Sequence, residues 1–363
     1  MEHQNDFCVI LAGGIGRRLW PCSVKGKPKQ FLDFFGTGRT LLQQTYDRFS
    51  AFLPSDHIFI STFVDYVDWV HEQLPEVDSS RILAEPVQLS TAPTVAWAAC
   101  RIAHLSEQAN MIVSPVDQYI VHQDRFVRDI ERGLAFVGSH EGFLALGVPA
   151  TTPNTGYGYI QMGEEHEHIG YAHVKAFSEK PDLHFAQMFV DSGEFLWNTG
   201  LFLWNVQTLL PHLELLSPPA CRLLEMMKES GFGPEQEKEW RDRYYPSAPY
   251  LSLDLCILER MKNVFVQRCD FGWADVGSWP ELHVTEPKDG DGNAVISRSH
   301  VMFSGSENNL VRIPSDMVAV IQGLNGFLVA QKGKVLVICK NDDPARVRHL
   351  MNEAQLKLGE EYV

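Results

Sequence analysis

Apolar positions along the first two-thirds of this chain alternate between two rhythms. Short continuous apolar runs at residues 7–11, 57–61, 81–86 and 111–117 read as buried strands. Between them the spacing becomes helical. Leu41, Leu42, Tyr46, Phe49 and Leu53 share one face and stop at Pro54, residues 64–74 follow the same period, and Val95, Ala98, Ala99, Ile102 and Leu105 follow Ser90-Thr-Ala-Pro-Thr94. Strands alternating with helices predict an α/β fold, a Rossmann-like mixed, mainly parallel sheet flanked by helices. Ligands on such sheets gather at the carboxyl ends of the strands.

Further runs at 143–148, 174–182, 195–204 and 264–268 extend the sheet, while 253–261 reads as a helix and 269–279 as a structured loop. Residues 218–250 are helical and polar, which predicts a surface excursion. The pattern changes at Pro287-Lys-Asp-Gly-Asp-Gly292, which reads as a linker. Beyond it come β runs at 318–322, 327–331 and 335–339, cornered by Asn325-Gly326 and Lys332-Gly333. Asp343 is expected to cap a last helix with Pro344 at its first position. The expected domains are 1–285, a nucleotide-handling α/β domain, and 286–363, a smaller C-terminal β-rich, short β-helix-like domain ending in a helix.

Composition narrows the function classes. A formal net charge of −15 over 363 residues excludes generic binding to nucleic acid or to an anionic membrane. No apolar run reaches membrane-spanning length, and the N-terminus lacks the basic start and apolar core of a signal peptide. Seven scattered cysteines without a Cys-x-x-Cys pair suit a reducing compartment, so a cytoplasmic protein is expected. The densest histidine group, His166-Glu-His168 with His173, sits in a polar stretch expected to be a solvated hairpin tip.

One place breaks the acidic balance. No Asp or Glu occurs in residues 7–32, where the overall composition would put about three. Gly13, Gly14 and Gly16 follow the first strand, and Arg17, Arg18, Lys25, Lys27 and Lys29 come next. Glycines in a strand-to-loop turn expose backbone N–H groups to an anion, and the cations point to a polyphosphate guest. The dinucleotide fingerprint fails, because Leu19 stands where its third glycine belongs and Pro21 follows; the Walker Gly-Lys-Ser/Thr is absent.

This loop resembles the signature of the sugar-nucleotide pyrophosphorylases, Gly-Gly-x-Gly-x-Arg-Leu followed by Pro-Lys-Gln, and its Trp20-Pro21 version resembles the mannose-1-phosphate guanylyltransferases. The resemblance continues in order to about residue 283: Glu85-Pro86 with Thr91-Ala-Pro93, Asp117, Tyr157-Gly-Tyr159, Glu179-Lys-Pro181, Trp197-Asn-x-Gly200 and Asp275-Val-Gly-Ser-Trp279. It implies a nucleotide-diphospho-sugar transferase type of fold. The implied reaction takes GTP and mannose 1-phosphate to GDP-mannose and pyrophosphate with Mg2+, and the implied assembly is a homodimer.

A sugar 1-phosphate is already an anionic nucleophile, so positioning and charge neutralisation are the work required. Arg18 and Lys29 suit the triphosphate, and Asp117 and Asp275 suit the cation; these four form the expected catalytic set. The nucleotide is expected at Leu11, Ala12, Gly13, Gly14 and Gly16, with the resemblance assigning guanine to Glu85, Ser90 and Thr91. The sugar phosphate is expected at Gly158, Glu179, Lys180 and Asn198; a buried Asn198 without a partner would be costly. Leu89-Ser90 stands where the family has Arg-Asn, and Gln118 where it often has His, which leaves open a relative with another base or sugar. A non-catalytic sensor on the same fold also remains open at this level. The roughly 75 residues beyond the linker are too few for a second enzyme domain, so one activity is expected.

Overall fold

The computed structural model describes residues 3–165, 170–296 and 299–362. The expected hairpin tip at His166 and His168 lies outside them; His173 is exposed. The chain forms two compact units. The first holds residues up to Gly13, Tyr46–Pro115 and Ile120–Trp273; the second holds Gly14–Thr45, Val116–Tyr119 and the chain from Ala274 onward. The units are therefore interleaved in sequence, whereas the linear reading placed one boundary near residue 285.

In the first unit, β1 (Asp6–Leu11), β2 (Ile58–Phe63), β3 (Ile82–Glu85) and β4 (Asn110–Pro115) are the strands expected from the apolar runs. A short β5 (Gln118–Ile120) follows. The main sheet continues with β6 (Phe143–Pro149), β7 (Gly158–Glu165), β8 (Tyr171–Glu179), β9 (Phe195–Asn205) and β10 (Val264–Arg268). The sheet order is β3-β2-β1-β4-β9-β6-β10-β8-β7. Pairings β1–β2, β1–β4, β2–β3 and β6–β10 are parallel, while β9 runs antiparallel to both β4 and β6. The sheet is mixed, as the alternation predicts. Strand β9 is buried along nearly its whole length, which explains why its sequence is apolar on both faces rather than alternating.

The expected surface excursion is corrected. Helix Pro234–Arg243 carries Trp240, and the turn after it carries Tyr245, into the core of the first unit, where both are fully buried. Trp97, Trp240 and Tyr245 pack as a trio with ring centroids 5.5, 5.6 and 5.8 Å apart. Trp97 Nε1 donates to Glu237 Oε1 at 2.7 Å, so even the buried indole is satisfied. Two large aromatics, with Ala220, Leu223 and Met227, anchor a segment that is otherwise largely polar, and a window average hides them.

In the second unit, β11 (Trp273–Asp275) leads in from the first, and helix Trp279–Thr285 follows. Strands β12 (Ala294–Ile296), β14 (Leu310–Arg312) and β16 (Phe327–Lys332) then stack in parallel, with β17 (Val335–Lys340) closing antiparallel. Strands β13 (His300–Ser304) and β15 (Val318–Gln322) form a second parallel pair. Successive strands alternate between the two sheets in the manner of a short β-helix. The coil has an asparagine ladder at one corner: Asn293 Oδ1 accepts from Asn309 N at 3.1 Å, and Asn309 Oδ1 accepts from Phe327 N at 2.9 Å.

The expected linker is a structured turn. Asp289 Oδ1 accepts from the N–H groups of Asp291 and Asn293 at 3.0 and 2.9 Å, fixing the chain as an Asx turn does. The last helix begins at Arg346, two residues later than expected, because Asp343 Oδ1 holds Ala345 N at 2.8 Å. Within this unit, Leu19, Trp20 and Phe34 from the segment after the glycine loop share one core with Trp279, Leu310 and Leu328. All seven cysteines are free thiols, six of them buried.

Candidate active site

The glycine loop begins where β1 ends. In the first unit, Ala12 N donates to Ser61 O at 2.7 Å and Thr62 Oγ1 donates to Ala12 O at 3.0 Å, so residues 11–13 leave the sheet on a fixed course. A side chain on Gly13 would put its Cβ 3.3 Å from Glu85 Oε1. Gln88 Nε2 donates to Gly13 O at 2.6 Å, a tie that sequence reasoning missed. Glu85 is buried. Its Oε1 accepts from Ser61 Oγ at 2.8 Å and its Oε2 from Tyr245 OH at 2.7 Å. Burial pushes its carboxyl above the usual range, and the hydroxyls of Tyr245, Ser61 and Thr94 oppose that shift only in part. Ser90 takes a left-handed backbone, φ 67°, at the entry of helix Thr91–Leu105, and Thr91 Oγ1 accepts from Leu253 N at 2.8 Å.

Also in the first unit, Glu179 and Lys180 are ion-paired at the end of β8, and a Cβ on Gly158 would meet Phe177 at 2.9 Å and Glu179 Oε2 at 3.0 Å. Asn198 does not lack partners. Its Nδ2 donates to Asp254 Oδ1 at 2.7 Å, and its Oδ1 accepts from Gly200 N at 3.0 Å. Asp254 belongs to no motif in the sequence, and only the tertiary contact reveals it.

The second unit gathers the four residues of the expected catalytic set. Gly16 adopts φ 69°, and a Cβ there would lie 2.8 Å from Ser23 Oγ and 2.9 Å from Lys29 Cγ. That position requires glycine for backbone and for space. Lys29 is buried, forms an ion pair with Asp117, and donates to Val276 O at 3.0 Å. Val276 N in turn donates to Asp117 O at 2.8 Å, which brings two loops far apart in sequence into register. Gln30 Nε2 donates to Gly14 O at 2.9 Å and holds the second half of the glycine loop.

The centre of this cluster is an absence of side chain. A Cβ built on Gly277 would lie 2.5 Å from Asp275 Oδ2, 2.9 Å from Arg18 Nη2 and 2.9 Å from Glu281 Oε2. Three charged groups thus surround a hollow that any other residue would fill. Burial, then the charge of Asp117, pushes the Asp275 carboxyl up to about 7 against the pull of Lys29; Glu281 adds to the rise and Arg18 opposes it. A cation would keep such a carboxylate ionised.

Glu281 is a residue that sequence reasoning missed. It is 3% exposed, and neither carboxylate oxygen has a hydrogen-bond partner. Its one sequence signal is an acid placed shortly after Asp275 in the apolar first turns of a short helix. Among the described residues, no group of three or more His, Cys, Asp or Glu side chains is arranged to hold a metal ion. A hard divalent cation that shares its shell with phosphates and water needs only one or two protein carboxylates, and Asp117 and Asp275 meet that need.

The chain resembles known proteins over most of its length. The Nucleotidyl transferase family matches residues 7–291. The chain is 34% identical over 348 residues to the alginate biosynthesis protein AlgA of Pseudomonas fluorescens, covering 95% of this chain and 71% of that protein. It is 33% identical over 336 residues to a mannose-1-phosphate guanylyltransferase of Escherichia coli, covering 91% and 70%. A crystal structure described as mannose-1-phosphate geranyltransferase from Thermus thermophilus superposes with a TM-score of 0.84 at 26% identity, over 97% of this chain and 99% of that one. The matched segment contains the glycine loop, the main sheet from β1 to β10 and the Gly277 hollow, and the chain belongs to the nucleotidyl transferase family of enzymes.

Proposed function

We propose that this enzyme transfers GMP from GTP to α-D-mannose 1-phosphate, giving GDP-mannose and pyrophosphate. The observation that carries the reading is the hollow over Gly277, ringed by Arg18, Asp275 and Glu281 and flanked by the Lys29–Asp117 pair. Nothing in that set is a nucleophile or needs to be one. A phosphate oxygen of mannose 1-phosphate bonds to the α-phosphorus of GTP, and the bond from that phosphorus to the bridging oxygen breaks. Pyrophosphate leaves with the electron pair.

Lys29 and Arg18 neutralise the charge that builds on the phosphate oxygens. Lys29 is held for this by Asp117 and Val276 O, so little reorganisation is needed when the substrate arrives. Asp117 and Asp275 would hold Mg2+, which when bound supplies positive charge to the reacting phosphates. The loop over residues 11–16 offers backbone N–H groups to the triphosphate, and Ser90 with Thr91 forms the base corner. Glu85 stays in the nucleotide set as the buried acceptor beside Gly13. Gly158, Glu179, Lys180 and Asn198 form the sugar-phosphate set, supported by the neighbouring Asp254.

Residues 1–285 are proposed as the transferase domain and 286–363 as its β-rich companion, a division supported by a family match that ends at residue 291. A cytoplasmic enzyme without nucleic-acid or membrane partners belongs to the proposal, supported by seven free thiols and a net charge of −15. No helix among the described residues is long and apolar enough to cross a membrane. A homodimer is also proposed, since Val318, Val320, Leu336 and Ile338 are exposed on the β-rich part. The deciding experiment is a pyrophosphate-release assay crossing the four nucleoside triphosphates with mannose, glucose and fucose 1-phosphates. Turnover is expected to be highest with GTP and mannose 1-phosphate. A different best pair would replace the substrates, and no release from any pair would overturn catalysis.

A further inference from the structure

A buried carboxylate in a finished protein core is paired or hydrogen-bonded, because desolvating a charge without compensation is costly. Glu281 departs from that rule. It is 3% exposed, neither of its oxygens has a hydrogen-bond partner, and Oε2 is aimed at the same point over Gly277 as Asp275 Oδ2 and Arg18 Nη2. The fully buried Ser278 Oγ, three residues earlier, is likewise without a partner.

Charge counting says what is missing. Three carboxylates (Asp117, Asp275 and Glu281) meet two cations, Arg18 and Lys29. Lys29 is ion-paired with Asp117 and also pulls on Asp275, and Arg18 adds a weaker pull there, so two cations still serve three carboxylates. The protein by itself therefore holds surplus negative charge where, on the proposed reading, a polyanion has to bind. A triphosphate arriving first would meet that surplus. A divalent cation arriving first would reverse its sign.

We propose that Glu281 is a third carboxylate of the cation site, and that through it the protein takes up a divalent cation before any nucleotide binds. The inference rests on the assignment of Asp275 to the cation. Asp117, Asp275 and Glu281 are not arranged to grip one ion directly between them, so Glu281 acts on the cation through water, several of which a hard cation commonly retains. Glu281 also explains why residue 277 is glycine: a methyl group there would stand between the carboxylates and what they hold.

The test uses the full chain, freed of metal with EDTA and exchanged into chelator-free buffer without nucleotide. Mn2+ is titrated in and the free ion is followed by its electron paramagnetic resonance signal. Wild type, Glu281→Gln, Glu281→Asp and the exposed control Glu235→Gln are compared, with circular dichroism melts recorded with and without Mn2+. Wild type and Glu235→Gln are expected to bind one Mn2+ and to melt higher with it. Glu281→Gln should bind at least ~10-fold more weakly with its metal-free fold intact, and Glu281→Asp should recover part of the affinity.

Equal Mn2+ affinity in Glu281→Gln and wild type would overturn the proposal, as would a wild type that binds Mn2+ only when nucleotide is present. If Glu281→Gln fails to fold, Glu281→Asp decides: weakened Mn2+ binding with its fold intact supports the proposal, and wild-type affinity overturns it. Pyrophosphate release from GTP and mannose 1-phosphate is read separately on the wild type. Absent turnover with Glu281-dependent Mn2+ binding would refute the proposed reaction and leave the cation site standing.

Discussion

Replacing Gly277 with alanine adds one methyl group at the point where the charged groups converge. Its Cβ would sit 2.5 Å from Asp275 Oδ2 and 2.9 Å from both Arg18 Nη2 and Glu281 Oε2. Ordinary contact between such atoms needs roughly 3.5 Å, so the Asp275 carboxylate must retreat by about 1 Å. The backbone itself is not the obstacle, since Gly277 lies outside the left-handed region. Overpacking of this size costs about 1–3 kcal/mol, a fall of several degrees in melting temperature. A displacement of ~1 Å at reacting groups can cost ~10²-fold in rate, so the loss of turnover should far exceed the loss of stability. Pyrophosphate release and a circular dichroism melt are measured on one preparation, beside Gly290→Ala, whose Cβ would meet nothing within 4 Å. Gly290→Ala should behave as wild type. A folded Gly277→Ala that turns over within about threefold of wild type would refute the reasoning, because the hollow would then have no catalytic use.

Three further outcomes are expected. Lys29→Ala should cut turnover by ~10²-fold or more while the exposed Lys25→Ala stays near wild type; equal losses at matched folding would reduce the loop to a diffuse basic patch. For Glu85, burial raises the folded carboxyl above its unfolded value, so the folded state holds its proton more firmly and stability falls as pH rises through that raised value. The melting deficit of Glu85→Gln against wild type should accordingly shrink between pH 4.5 and pH 8, and a deficit constant across that range would contradict it. Truncation after residue 285 should give insoluble protein, because it uncovers Trp20, Phe34 and Trp279, which share a core with Leu310 and Leu328; a monodisperse, fully active truncation would count against this.

Much of the molecule was legible along the chain because it depends on neighbours in sequence. Continuous apolar runs predict β1, β2, β4 and β9, since a strand buried on both faces is apolar along most of its length, and β3 is the edge strand with alternating burial. The glycine spacing, the acid-free window and the ordered motifs pointed to a phosphate loop and to a family, because a turn that exposes N–H groups needs particular residues at particular offsets. Arg18, Lys29, Asp117 and Asp275 stood out as candidates for the same reason, as residue types the proposed chemistry demands, the two cations in the turns after the glycine loop and the two acids at strand ends.

Tertiary structure alone decided what those residues touch. Asp117 and Asp275 meet because Val276 N finds Asp117 O, a contact no local pattern encodes. Asn198 is satisfied by Asp254, and Glu85 by Ser61 and Tyr245, so burial that suggested an open site in the sequence is answered within the chain. Trp240 and Tyr245 are core residues in a segment whose average is polar, since two large aromatics supply burial that the many charged residues around them outvote in any window. Glu281 is the clearest case. In the sequence it is one acid among 46; in the fold it is a buried charge without a partner, and burial and partners are properties of packing in three dimensions.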